Sequence, residues 1–138
     1  MNETQQLDPP RDTPEQTFRQ LAYLAAYDAV LDCDYAFLAY RETDAGGAWR
    51  LRIRSSQTAG AVFEPDAIGR AARAAGAAGR SWLPWGYSFD PSADDPRCIQ
   101  FRVHVDAGRP VAVELFVQLR RFDGTAEVPQ SVRFSWPA

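Results

Sequence analysis

The stretch CIQFRVHVDAGRPVAVELFVQLR, residues 98 to 120, alternates apolar and polar side chains on both sides of a short turn. Successive side chains of a strand point to opposite faces, so this alternation demands two strands with one greasy face. Ile99, Phe101, Val103 and Val105 line that face in the first arm; Val111, Val113, Leu115, Val117 and Leu119 line it in the second. Asp106-Ala107-Gly108-Arg109-Pro110 between them supplies turn-forming residues, which makes the segment a hairpin. Whatever else the chain does, it must cover this face with a second layer.

Three further strands are predicted. Ser131 to Trp136 repeats the pattern with Val132, Phe134 and Trp136, and Tyr35 to Glu42 is joined to Ala48 to Ser56 through Thr43-Asp44-Ala45-Gly46-Gly47. Trp49, Leu51 and Ile53 alternate there with Arg50, Arg52 and Arg54. Two helices are predicted as well. Thr13-Pro14-Glu15-Gln16 has the composition of a helix start, and Phe18, Leu21, Leu24, Ala25, Asp28 and Leu31 follow at helical spacing, flanked by Tyr23, Tyr27 and Val30. Pro65 opens a second helix, Asp66 to Ala78, with Ile68, Ala71, Ala72 and Ala75 on one side and Gly79 as its stop. The expected order is α-β-β-α-β-β-β. It implies an α+β fold: a single, mainly antiparallel five-stranded sheet with both helices packed on one face.

Composition bounds the class. The chain has 138 residues, enough for one domain, expected over 13 to 138 behind a mobile tail of residues 1 to 12. Apolar residues at 46% and charged residues at 24% are ordinary for a globular protein. With no signal-like N-terminus and no long apolar run, a cytoplasmic protein without a membrane span is expected. Cys33 and Cys98 are too few for a disulfide framework and too isolated for a zinc site. All 15 basic residues are Arg, yet the net charge is −3 and no helix-turn-helix, RNA-recognition or zinc-finger pattern is present, so nucleic acid is disfavoured.

Two features carry the functional expectation. In SWLPWGYSFDP, residues 81 to 91, Trp82, Trp85, Tyr87 and Phe89 sit in a segment that Pro84, Gly86 and Pro91 keep out of a helix or central strand. Such rings either close over the edge of a small core or form the anchor of a binding site. If the strands share one sheet, its polar side displays Arg50, Arg52, Arg54, Gln100, Arg102, His104, Glu114, Phe116, Gln118, Arg120 and Arg133. That is either a solvated face or a platform for an anionic ligand or acidic partner, since guanidiniums pair with carboxylates and phosphates.

No nucleophile elbow, phosphate loop or paired-carboxylate site accompanies His104, the single histidine, so no catalytic residue, metal or cofactor is expected. The leading expectation is a non-catalytic binding or regulatory module that recognises a protein or small organic or anionic ligand through the aromatic loop and the Arg-bearing face. The alternative is a small isomerase- or cyclase-like enzyme with a pocket between sheet and helices and His104 as acid or base. A homodimer is compatible with the broad first helix and the open sheet face.

The order of a helix running into DYAFLAYRETDAGGAWRLRIRSS, then a helix, then RCIQFRVHVDAGRPVAVELFVQL, resembles the layout of GAF domains, small sensory modules, over residues 15 to 120. The resemblance implies a sensory or docking role. The family's long C-terminal helix is replaced here by the expected strand ending at Trp136, and no cyclic-nucleotide signature is found, so no binding residue is carried across. Profilin-like and roadblock-like layouts match similarly.

Overall fold

A computed structural model describes residues 7–11, 13–86, 89 and 94–137. Among these, the elements are β1 (Gln16–Asp28), β2 (Cys33–Asp44), β3 (Trp49–Ser55), β4 (Ala61–Phe63), α1 (Pro65–Ala77), β5 (Trp82–Pro84), β6 (Cys98–Asp106), β7 (Arg109–Gln118) and β8 (Gln130–Ser135). They form two four-stranded antiparallel sheets, β1-β2-β3-β4 and β5-β6-β7-β8, with α1 between them in the chain. This corrects the expected α+β fold with one five-stranded sheet and two helices: the five expected strands are divided between two sheets, and three more strands and a single helix complete the described residues.

The missing first helix is β1. Its Gln, Leu and Ala residues favour a helix, but β2 offers a partner along the whole segment, from Gln16 opposite Asp44 to Asp28 opposite Cys33. A bulge between Gln20 and Ala22 places Phe18 opposite Glu42 and Tyr23 opposite Leu38, so two residues five apart share a face. That odd spacing hides the alternation and imitates helical spacing. Beyond the bulge the period of two is clear: Leu24, Ala26 and Asp28 are buried, while Tyr23, Ala25 and Tyr27 are exposed. Thr13 to Gln16 forms a turn, in which the Gln16 amide donates to the Thr13 carbonyl at 3.2 Å. This is also the segment with which the GAF-like layout began.

Both sheets turn their apolar faces to one core. Phe37 of β2 meets Phe101 of β6 edge to face at 6.5 Å, and Ile53, Phe63, Val103, Val113 and Ile68 of α1 belong to the same buried cluster. The space between the sheets is filled: a cavity lined by Leu24, Phe37, Ile53, Leu115 and Phe134 measures about 10 Å³. β2 is buried on both sides from Tyr35 to Tyr40, because Leu7 and Phe18 cover Ala36, Leu38 and Tyr40 on its outer face. Leu7, placed by the sequence reading in the tail, is therefore part of the packed structure; residues 1–6 and 12 lie outside the described residues.

The predicted helix and hairpin are present, and they meet. The two residues of the β6–β7 turn, Ala107 and Gly108, have φ of 52° and 76°, the left-handed pair that a two-residue hairpin of native twist requires. Gly76 of α1 rests on that turn so closely that a Cβ there would lie 2.6 Å from the Gly108 Cα, whereas a Cβ on Gly69 would meet nothing nearer than the Arg73 side chain at 3.7 Å. Two Gly→Ala changes in one helix should therefore differ in sign. Gly69→Ala should stabilise by about 0.5–1 kcal/mol through helix propensity, and Gly76→Ala should destabilise by about 1–3 kcal/mol by prising α1 from the turn. Urea unfolding of the two variants measures both; equal gains would show that the close approach carries no constraint.

Candidate functional site

The outer face of the second sheet is built by alternation and register. Trp82 pairs with His104 and Pro84 with Arg102, while Arg102, Glu114 and Arg133 stand in one row across β6, β7 and β8. Side chains directly or diagonally opposite on such a face are neighbours. The Arg102 guanidinium accordingly lies over the Trp82 ring at 4.7 Å and the Phe116 ring at 4.5 Å. Its Nε donates to Gln100 Oε1 at 2.7 Å. His104 Nε2 donates to Glu114 Oε1 at 2.7 Å, and the same oxygen lies 3.8 Å from Arg102 Nη1. Arg133, exposed at the end of the row, forms no ion pair with a described residue.

Arg50, Arg52 and Arg54 lie elsewhere. Their alternation on β3 is as read, with Leu51 and Ile53 buried, but β3 belongs to the first sheet. Because both sheets direct their apolar faces inward, the polar faces point away from each other, and the single Arg-rich platform is divided. On the first sheet the guanidiniums are engaged. Arg50 Nε and Arg52 Nε donate to buried Glu42 at 2.7 and 3.0 Å, and Arg54 Nη1 donates to the Asp8 carbonyl at 2.8 Å. Burial pushes the Glu42 carboxyl up, but the hydrogen bonds from Arg50 and Arg52 outweigh it and hold the group below the usual carboxylate range.

The aromatic segment divides as well. Trp82 lies on β5, an edge strand where Pro84 costs no ladder hydrogen bond, and it remains 37% exposed on the outer face. Trp85 instead closes the core: its ring packs on Phe63 at 6.2 Å and its Nε1 donates to the Val62 carbonyl at 2.7 Å. Phe89 also packs on the core, bridges to Ile99, and lies under the Arg97 guanidinium at 4.9 Å. Tyr87 lies outside the described residues. Trp85 and Phe89 thus serve as a lid, and Trp82 is the ring offered outward.

Arg97 fixes the return of this segment. It donates to both Asp95 carboxylate oxygens and approaches buried Asp28, whose Oδ1 accepts the Val30 and Leu31 amides at the β1–β2 turn. Beside it, burial pushes the Cys33 thiol up and the Asp28 charge adds to the effect, which disfavours the thiolate.

His104 lies on the outer face of the second sheet rather than between sheet and helix. Glu114 and Phe116 were visible as outward residues of an alternating strand, but their roles as the His104 acceptor and the second Arg102 ring depend on register, which hydropathy does not encode. No family model, no curated protein and no solved structure matches the chain. Among the described residues, no helix is long and apolar enough to cross a membrane.

The Arg97 hydrogen bonds hold the Asp95 carboxyl at about 2, against an ordinary 3.8. A carboxyl lowered on folding contributes stability above its unfolded value and loses it as pH falls through the folded one. Asp95→Asn should therefore lower the urea midpoint at neutral pH, and its difference from wild type should shrink between pH 3.8 and about pH 2. A difference that persists unchanged at pH 2 would contradict this assignment.

Proposed function

We propose that this protein is a non-catalytic binding module of the cytoplasm that recognises an acidic protein partner through the outer face of its second sheet. The supporting observation is the Arg102 guanidinium held between the Trp82 and Phe116 rings, at 4.7 and 4.5 Å. Two stacked rings restrict the side chain before any partner arrives, so less rotamer entropy is lost on docking. Trp and Arg at the centre of a patch are the residue types that anchor interfaces. Arg133, with no ion pair to a described residue, supplies charge for a carboxylate at the rim, while Glu114 occupies His104 and limits Arg102. The packed space between the sheets, with its cavity of about 10 Å³, gives no support to the enzyme reading. Free Cys33 and Cys98 suit a reducing compartment.

The test is capture from a cytoplasmic extract of the source cell by immobilised wild-type protein and by single variants. Trp82→Ala should weaken a captured partner by about 2 kcal/mol or more, and Arg133→Glu should slow its association, with urea midpoints near wild type. Arg52→Ala, on the other sheet, should leave capture intact. If Trp82→Ala and wild type retain the same partner equally, the face is only a solvated sheet surface.

A further inference from the structure

A second surface, sharing no lining residue with Trp82, Arg102 and Arg133, lies where α1 ends against the β6–β7 turn. The groove there has a volume of about 770 Å³ and is lined by Arg73, Arg80 and Arg109, with Gly76, Gly79 and Gly108 in its walls. The glycines are structural requirements of the groove. Gly76 permits contact with Gly108, and Gly79, at φ +74°, turns the chain out of the helix. The helix end is closed by its own backbone: the Ala78, Gly79 and Arg80 amides donate to the Ala74, Gly76 and Ala75 carbonyls at 3.1, 3.0 and 2.8 Å. The guanidiniums are therefore not needed as helix caps.

Arg73, Arg80 and Arg109 are all exposed, and none of their guanidiniums forms a hydrogen bond, ion pair or ring contact with a described residue. This contrasts with Arg50, Arg52, Arg54, Arg97 and Arg102, each of which has a partner. Asp106 also lines the groove and takes no part in an ion pair, so three positive charges face one negative charge. The net chain charge is −3, which makes a local positive excess a property of this site rather than of the composition.

We propose that this groove binds a small ligand carrying several phosphoryl groups. Guanidinium forks match phosphate oxygens bidentately, and three arginines line a groove of the size that holds small molecules rather than a single ion. A neighbouring groove of about 580 Å³ shares Gly79, Arg80 and Ser81 and continues to Trp82 and Gln100, so a base attached to the phosphates has a place to extend. The shared chemistry is the polyphosphate; whether it is free or part of a nucleotide is decided by comparing two probes.

The experiment is titration of the ¹⁵N-labelled protein with sodium tripolyphosphate and, separately, ATP, at fixed ionic strength. Amides of residues 73–81 and 106–109 should shift with saturation in the millimolar range or below. Arg73→Ala, Arg80→Ala and Arg109→Ala should each weaken tripolyphosphate about tenfold, the loss of one charged hydrogen-bonding group. Arg121→Ala, an exposed arginine outside the groove, should leave the affinity unchanged. Tighter binding of ATP, with shifts spreading to Trp82, identifies a nucleotide; equal binding identifies the polyphosphate alone. The proposal is overturned if these amides do not shift, or if Arg121→Ala weakens binding as much as the groove variants. Thermal midpoints of the free variants, expected at the wild-type value, separate lost binding from lost folding. Failure of this site leaves the sheet face untouched, since Trp82→Ala removes no groove arginine.

Discussion

The contact between the inner faces of the two sheets, centred on Phe37 against Phe101, is the constraint on which the other features rest. An antiparallel sheet with one apolar face must bury that face against a second layer, and each sheet here is the other's cover. Burying one such ring is worth roughly 1.5–3 kcal/mol, and the cluster joins residues from both sheets and from α1. Once the apolar sides are committed inward, Arg50, Arg52 and Arg54 of β3 and Arg102, Glu114 and Arg133 of the second sheet are directed to one of two outer faces. Trp49 against Trp136 at 5.1 Å and Trp85 bonded to the Val62 carbonyl then tie the sheets together away from the centre.

The two outer faces have different fates. The first is largely consumed by the protein itself, with Leu7 and Phe18 over Ala36, Leu38 and Tyr40 and with Glu42 between Arg50 and Arg52. The second keeps Trp82 and Arg133 outward and holds Arg102 between two rings, which is why the binding proposal rests there and not on the whole set of arginines. The groove at the end of α1 is a third consequence of the same packing. Docking the helix on β5, β6 and β7 brings its C-terminus onto the β6–β7 turn, and Gly76 and Gly108 let the two backbones meet.

Alternation in residues 98 to 120 and 131 to 136 was legible because each strand has one wet and one buried face, and α1 was legible from Pro65, its Ala-rich stripe and Gly79. β1 was not, for two physical reasons: its residues favour a helix in isolation, and the bulge near Leu21 shifts the phase of alternation. β4 and β5, at three residues each, are too short to show a period. The same limit governs the site. Outward positions of Arg102, His104, Glu114 and Phe116 follow from parity, but the sheet to which Arg50, Arg52 and Arg54 belong follows only from pairing, and pairing is a long-range property of the chain.

Residue-resolved urea unfolding of Phe101→Ala, followed through amide signals of β2 and β7, tests the shared core most directly. Truncating this ring should cost about 3–5 kcal/mol, and because the two sheets cover each other, the β2 and β7 amides should lose their native signals together at one lowered midpoint. A β2 signal that stays at the wild-type midpoint while β7 melts early would show that the sheets are stable apart, and the account of one interlocked core would be contradicted.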